Sequence, residues 1–148
     1  MENIMLRNIF MAALTATLMC AGTAHAQDDT GKISLELNKA TATEDGKCQV
    51  VFYARNGLDQ VLDEISLRVA FFDAEGVFKN LLALSLGSLD VGKRRVLLFN
   101  LPGDCAELSE IVVNDVAACK VAGGGASDSD ICLSELAVTS RTEIAFGL

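Results

Sequence analysis

The stretch Ile65-Ser66-Leu67-Arg68-Val69-Ala70-Phe71-Phe72 decides the fold class. Apolar side chains stand at every second position from Ile65 to Phe71, which is the pattern of a strand with one face buried. The acidic sequence Asp73-Ala74-Glu75-Gly76 follows directly and is typical of a turn. This stretch therefore predicts a β-strand that packs one face against a core.

Similar short stretches precede and follow this strand along most of the chain. Residues 82–86 fit either a strand or an irregular apolar segment, and residues 141–146 fit an extension of the last strand. No segment longer than ten residues keeps a helical period, so we expect no substantial core helix. The spacing predicts one all-β domain over residues 27–148, an antiparallel β-sandwich of about seven strands. The other predicted strands are 32–38, 48–55, 77–81, 94–100, 109–116 and 131–140.

The apolar positions of these strands predict the core. We expect it to contain Leu35, Leu37, Val50, Phe52, Ile65, Leu67, Val69, Phe71, Leu97, Phe99, Val112 and Leu136.

Residues 1–26 have the pattern of a cleaved signal peptide. Arg7 precedes an apolar stretch from Ile9 to Leu18, and Thr23-Ala24-His25-Ala26 supplies the small residues that a signal peptidase needs. Cleavage after Ala26 predicts a periplasmic or secreted protein. The apolar stretch is too short for a transmembrane helix, so no membrane span is expected after cleavage.

Cys20 offers an alternative, because bacterial lipoproteins are cleaved before a cysteine that follows small residues. Met19 is bulky at the position that requires a small side chain, so a lipid anchor at Cys20 is the less favoured prediction.

Four cysteines remain after cleavage, an even number that indicates two disulfides in an exported chain. Three connectivities are possible, and we favour Cys48–Cys105 and Cys119–Cys132. The second pair brackets a glycine-rich tract and would close the neck of a hairpin. A metal site is less favoured, because no C-x-x-C spacing occurs and the mature chain has no histidine.

Charge and composition exclude several classes of function. The chain has 20 acidic and 12 basic side chains, a formal net charge of −8, whereas binding to nucleic acid requires a basic face. Its one histidine lies in the signal peptide, and it has no G-x-S-x-G motif, so we expect no enzyme and no cofactor.

Three polar features remain as candidate sites. Asn114 and Asp115 interrupt an apolar strand and predict either a ligand-binding spot or a β-bulge. Ser127-Asp128-Ser129-Asp130 predicts a solvated loop, with calcium binding as the alternative. The basic cluster Lys93-Arg94-Arg95 either keeps an apolar strand from aggregating or contacts an anionic partner.

Residues 50–100 resemble the FxLYD-type and related immunoglobulin-like envelope domains. The resemblance rests on Arg55-Asn56-Gly57, on the aromatic–Asp–x–x–Gly turn at Phe72-Asp73-Ala74-Glu75-Gly76, and on Asp90-Val91-Gly92-Lys93. The mature chain is also similar to small secreted proteins of alphaproteobacteria that carry no assigned activity. The resemblance implies an immunoglobulin-like sandwich and assigns no catalytic residue.

These observations favour a non-enzymatic periplasmic module that binds another envelope protein, because a sandwich offers strand edges to a partner. The alternative is a periplasmic protein that binds a small ligand or calcium. The sequence does not determine the oligomeric state.

Overall fold

The computed structural model describes residues 30–124 and 128–148, including all of their side chains except those of 128 and 129. The predicted signal peptide, its cleavage after Ala26 and the alternative at Cys20 lie outside these residues. The described chain contains eight strands: β1 (Ile33–Ala42), β2 (Cys48–Asn56), β3 (Leu62–Phe72), β4 (Phe78–Leu89), β5 (Arg94–Leu101), β6 (Glu110–Val121), β7 (Leu136–Ser140) and β8 (Ala145–Gly147).

The strands form two four-stranded sheets, which confirms the all-β sandwich. Sheet I has the order β5-β2-β1-β7 and sheet II has the order β4-β3-β6-β8. Most neighbouring strands are antiparallel, as predicted, but β7 pairs parallel to β1 and β8 pairs parallel to β6. Each sheet is therefore antiparallel with one short parallel strand at an edge.

The core lies between the two sheets and follows the predicted alternation closely. Nine of the twelve predicted core residues are buried, and Leu97 and Phe99 are partly buried against that core. The prediction for Val112 is wrong, because its neighbours Ile111 and Val113 are buried instead. The β-bulges in β6 change which of its side chains face the core. Simple alternation along the sequence therefore predicts the wrong inward residues in this strand.

Two predicted strand boundaries need correction. Residues 77–81 and 82–86 belong mostly to one strand, β4, which is 12 residues long. The first half of the predicted strand 131–140 is a helix, α1 (Asp128–Ser134), and only its second half is β7. A helix of fewer than two turns is too short to show a helical period in the sequence.

Both predicted disulfides are confirmed. Cys48 pairs with Cys105, which begins a 3-10 turn after β5, and Cys119 pairs with Cys132. The predicted hairpin neck is wrong, because Cys119–Cys132 joins β6 to α1 rather than two paired strands. Two disulfides indicate that the chain folds in an oxidising environment outside the cytoplasm.

One side of the sandwich, which we call the closed side, is covered by β7 and β8. The chain crosses from sheet I to sheet II between these strands, and Ile144 in the connection is only 5% exposed. The Ser140 hydroxyl donates to the carbonyl of Ile144 at 2.6 Å, and the Thr142 amide donates to the same hydroxyl at 3.1 Å. The closed side is therefore filled by an apolar side chain and held by local hydrogen bonds.

Asn56, at the end of β2, is the fully buried polar residue of the described core. Its side-chain amide donates to the carbonyls of Gln60 (2.8 Å) and Leu89 (2.9 Å), and its side-chain oxygen accepts from the Leu58 amide (3.0 Å). These bonds join the end of β2 to the end of β4, so Asn56 connects the two sheets.

Candidate functional site

The opposite side of the sandwich, which we call the open side, lies between the edge strands β4 and β5. These strands do not pair with each other in the described chain, so a groove runs between them. Two cavities of about 40 and about 140 Å³ lie in the groove and share Phe71, Leu82 and Leu101 in their walls. The larger cavity has about the volume of core cavities that bind one benzene molecule in other proteins. It suits one inserted apolar side chain better than a drug-sized ligand.

The outward face of β5 exposes two large apolar side chains. Val96 is 58% exposed and Leu98 is 59% exposed. In the register of sheet I, Val96 stands opposite Tyr53 and Leu98 stands opposite Val51 on β2. These four residues form an apolar strip, which we call the β5 strip, along the edge of sheet I.

Polar residues stand at both ends of the β5 strip. At one end, Gln49 donates its side-chain amide to Asn100 across the two strands at 3.1 Å. At the other end, Arg55 stands directly opposite Arg94. The face is therefore apolar in its centre, neutral and polar at one end, and cationic at the other.

The backbone of β5 is open to pairing along the same residues. The Asn56 amide donates to the carbonyl of Lys93 at 3.0 Å. Because bonded pairs alternate along an antiparallel ladder, the amides and carbonyls of Arg94, Val96, Leu98 and Asn100 point away from β2. Within the part of the chain that the structure describes, no strand pairs with that edge.

The basic cluster Lys93-Arg94-Arg95 divides between two environments. Arg94 is exposed on the outward face, whereas Arg95 crosses to the other sheet and donates to the carbonyl of Leu86 at 2.8 Å. Gly87 beneath it has a φ of 67°, and a Cβ there would lie 2.3 Å from Nη1 of Arg95. Arg95 thus bridges the open side at one point, and Gly87 leaves the space for it.

Asn114 and Asp115 lie in sheet II, away from β5. The register of β3 and β6 shifts at Asn114, as the β-bulge alternative predicts. The Asp115 carboxylate accepts from Nε of Arg68 at 2.5 Å and from the Asn114 amide at 3.2 Å. These contacts account for both polar side chains, and a ligand at this position stays a prediction.

The acidic segments give no metal centre among the described residues. Across 30–124 and 128–148, no group of three or more His, Cys, Asp or Glu is arranged to hold a metal ion. Asp130 is exposed, whereas Ser127 and the side chains of Asp128 and Ser129 lie outside the description. Calcium or small-ligand binding stays a prediction.

Within residues 30–124 and 128–148, no helix is long and apolar enough to cross a membrane.

Sequence reasoning identified the basic cluster but not its neighbour Arg55. Arg55 and Arg94 are far apart in the chain, and only the register of β2 against β5 brings them opposite each other. The turn motif Arg55-Asn56-Gly57 was the only sequence signal at this position, and it points to a turn rather than to a site.

Comparison with family models, with curated proteins and with solved structures finds no match for this chain. The resemblance to immunoglobulin-like envelope domains therefore stays a prediction.

Proposed function

We propose that this protein is an exported, non-enzymatic interaction module that binds another envelope protein through β5. The observation that carries the proposal is the exposure of Val96 and Leu98 on an edge strand. An unpaired edge next to exposed apolar side chains is a hazard for aggregation unless a partner covers it. Binding by strand addition would satisfy the free backbone groups and bury both side chains.

Two features support export to the periplasm or the cell exterior. The signal-peptide pattern of residues 1–26 predicts secretion, and two disulfides favour an oxidising compartment.

The strand order also supports an immunoglobulin-like relationship. In such domains one sheet contains strands A, B and E in adjacent positions, and the other contains C′, C, F and G. If β1, β2 and β5 correspond to A, B and E, then β4, β3, β6 and β8 occupy the positions of C′, C, F and G. The parallel pairing of β8 with β6 departs from the antiparallel F–G pair.

Photo-crosslinking tests the proposed function. A photoreactive amino acid is placed at Leu98 and, as a matched control, at Ala117, which is exposed on β6 in sheet II. We expect one envelope protein to crosslink from position 98 and not from position 117. No product from position 98, or the same products from both positions, would contradict the proposal.

A further inference from the structure

The cations of this acidic chain are distributed unevenly. Five cations have no ion-pair partner in the described residues: Lys39 and, at one end of the β5 strip, Arg55, Lys93, Arg94 and Arg95, of which Arg95 donates to the Leu86 carbonyl. Ion pairs are formed by Lys32, Lys47, Arg68, Lys79, Lys120 and Arg141. Unpaired positive charge is therefore concentrated where β2 and β5 meet the β4–β5 turn.

Arg55 is unusual among these cations. It stands directly opposite Arg94, and like charges at such positions repel each other. Its Nε atom is buried, and the described residues give it no hydrogen-bond acceptor. A carboxylate beside Arg94 at this end of the strip would offset the repulsion between the two guanidinium groups.

We propose that β5 accepts an extended segment of a partner protein that carries two alternate apolar residues and a carboxylate. The apolar residues lie beside Val96 and Leu98, and the carboxylate binds Arg94 and Arg55. This inference rests on the proposed function and adds the chemistry of the partner. It assigns the basic cluster to recognition of an acidic side chain on a β-strand.

A second copy of this chain is a poorer occupant. Two β5 strands paired antiparallel around Leu97 would place Val96 opposite Leu98 and cover the apolar centre. Arg94 would then stand opposite Asn100, so this pairing supplies no carboxylate to Arg55. A role in solubility alone also explains the exposed Arg94, but not a second arginine without an ion pair directly opposite it.

Two blocked peptides test the inference. Both peptides have valine at two central positions that are separated by one threonine. At the next alternate position on each side, one peptide carries glutamate and the other carries glutamine. Binding to the ¹⁵N-labelled mature protein is followed by NMR shifts of the β5 amides. We expect the glutamate peptide to bind about tenfold more tightly, because it adds a charge-assisted hydrogen bond.

Three variants locate the effect. Arg55→Gln and Arg94→Gln each remove one guanidinium, and Lys39→Gln removes an unpaired cation from β1, beyond β2. We expect the first two to bring the glutamate peptide close to the affinity of the glutamine peptide, whereas Lys39→Gln leaves the difference intact. Arg94 is exposed, so its variant still tests the inference if Arg55→Gln does not fold.

The other outcomes overturn the inference in distinguishable ways. Equal binding of both peptides at β5 would remove the acidic preference and leave strand addition standing. Shifts of β5 that depend on protein concentration without peptide would identify a second copy as the occupant. No shift with either peptide would reject β5 as an acceptor of free strands, while crosslinking from position 98 reports separately on the proposed function.

Discussion

The two sides of this sandwich are closed to different degrees. On the closed side, β7 and β8 are only five and three residues long, yet they cover the edges of β1 and β6. On the open side, the longer strands β4 and β5 remain edges and leave a groove between them. Short strands are thus enough to cover an edge in this fold, and within residues 30–124 and 128–148 no such strand covers the open side.

The apolar side chains differ in the same way. Ile144 is buried on the closed side, whereas Val96 and Leu98 are more than half exposed on the open side. Apolar residues on the closed side stabilise the fold, and we expect those on the β5 strip to contribute to binding instead.

Ile144→Ala should lower the free energy of unfolding by about 2–4 kcal/mol, because it opens a cavity in the closed side. Leu98→Ala is the matched variant on the open side and should change it by less than about 0.5 kcal/mol. Urea unfolding followed by circular dichroism measures both. Equal losses for the two variants would remove the distinction between the sides.

Asn56→Ala should lower the free energy of unfolding by about 2 kcal/mol, because the buried bonds to the Leu89 carbonyl and the Leu58 amide and the part-buried bond to the Gln60 carbonyl are lost. Asn38→Ala is the control, since exposed Asn38 makes one side-chain bond, to Glu36. Thermal unfolding compares the two. A loss no greater than that of the control would mean that Asn56 does not hold the framework of the open side.

Gly87→Ala should cost about 1–2 kcal/mol, because alanine is strained at a φ of 67° and its Cβ would displace Arg95. Gly76→Ala has a similar φ of 75° with nothing within 4 Å, so it measures the backbone strain alone. The difference between the two urea midpoints gives the effect of moving Arg95. Identical losses would show that the Arg95 bridge adds no stability.

The smallest effect concerns Glu135, just before β7. A hydrogen bond from the Lys32 ammonium at 2.7 Å lowers the pKa of the Glu135 carboxyl below its ordinary value. A carboxyl with a lowered pKa in the folded state stabilises the protein above its unfolded pKa, and this contribution disappears as the pH falls through the folded pKa. The stability difference between wild type and Glu135→Gln should therefore be small at neutral pH and vanish in acid. A difference that persists in acid would contradict this origin.

The sequence predicts the strands with regular alternation better than the short parallel strands and the bulges. Ile65–Phe72 lies within β3, and its predicted inward residues Ile65, Leu67, Val69 and Phe71 are buried because this face packs on the core. The pairing of β7 with β1 leaves no sequence signal, because a parallel edge strand of five residues has neither a turn nor a long apolar pattern to mark it. The bulge at Asn114 likewise hides the inward position of Val113.

The candidate site is only partly predictable for a related reason. Lys93-Arg94-Arg95 is visible as a basic run, but its division between an outward Arg94 and a bridging Arg95 depends on alternation along β5. The meeting of Arg55 with Arg94 depends on strand register, and the exposure of Val96 and Leu98 depends on β5 being an edge. None of these follows from local sequence.

The parallel pairing of β7 with β1 has a consequence for the order of folding. Lys32 and Glu135, which meet at this pairing, are 103 residues apart in the chain. Contacts of such long range are slow to form, because a long loop has to close before any of them contributes. β1 therefore completes its pairing only after β7 has been synthesised. A nascent chain that ends before residue 136 has β1 and β6 as two further uncovered edges. If the protein is exported through a translocation channel, as we propose, it would complete its sandwich only after β7 and β8 have passed.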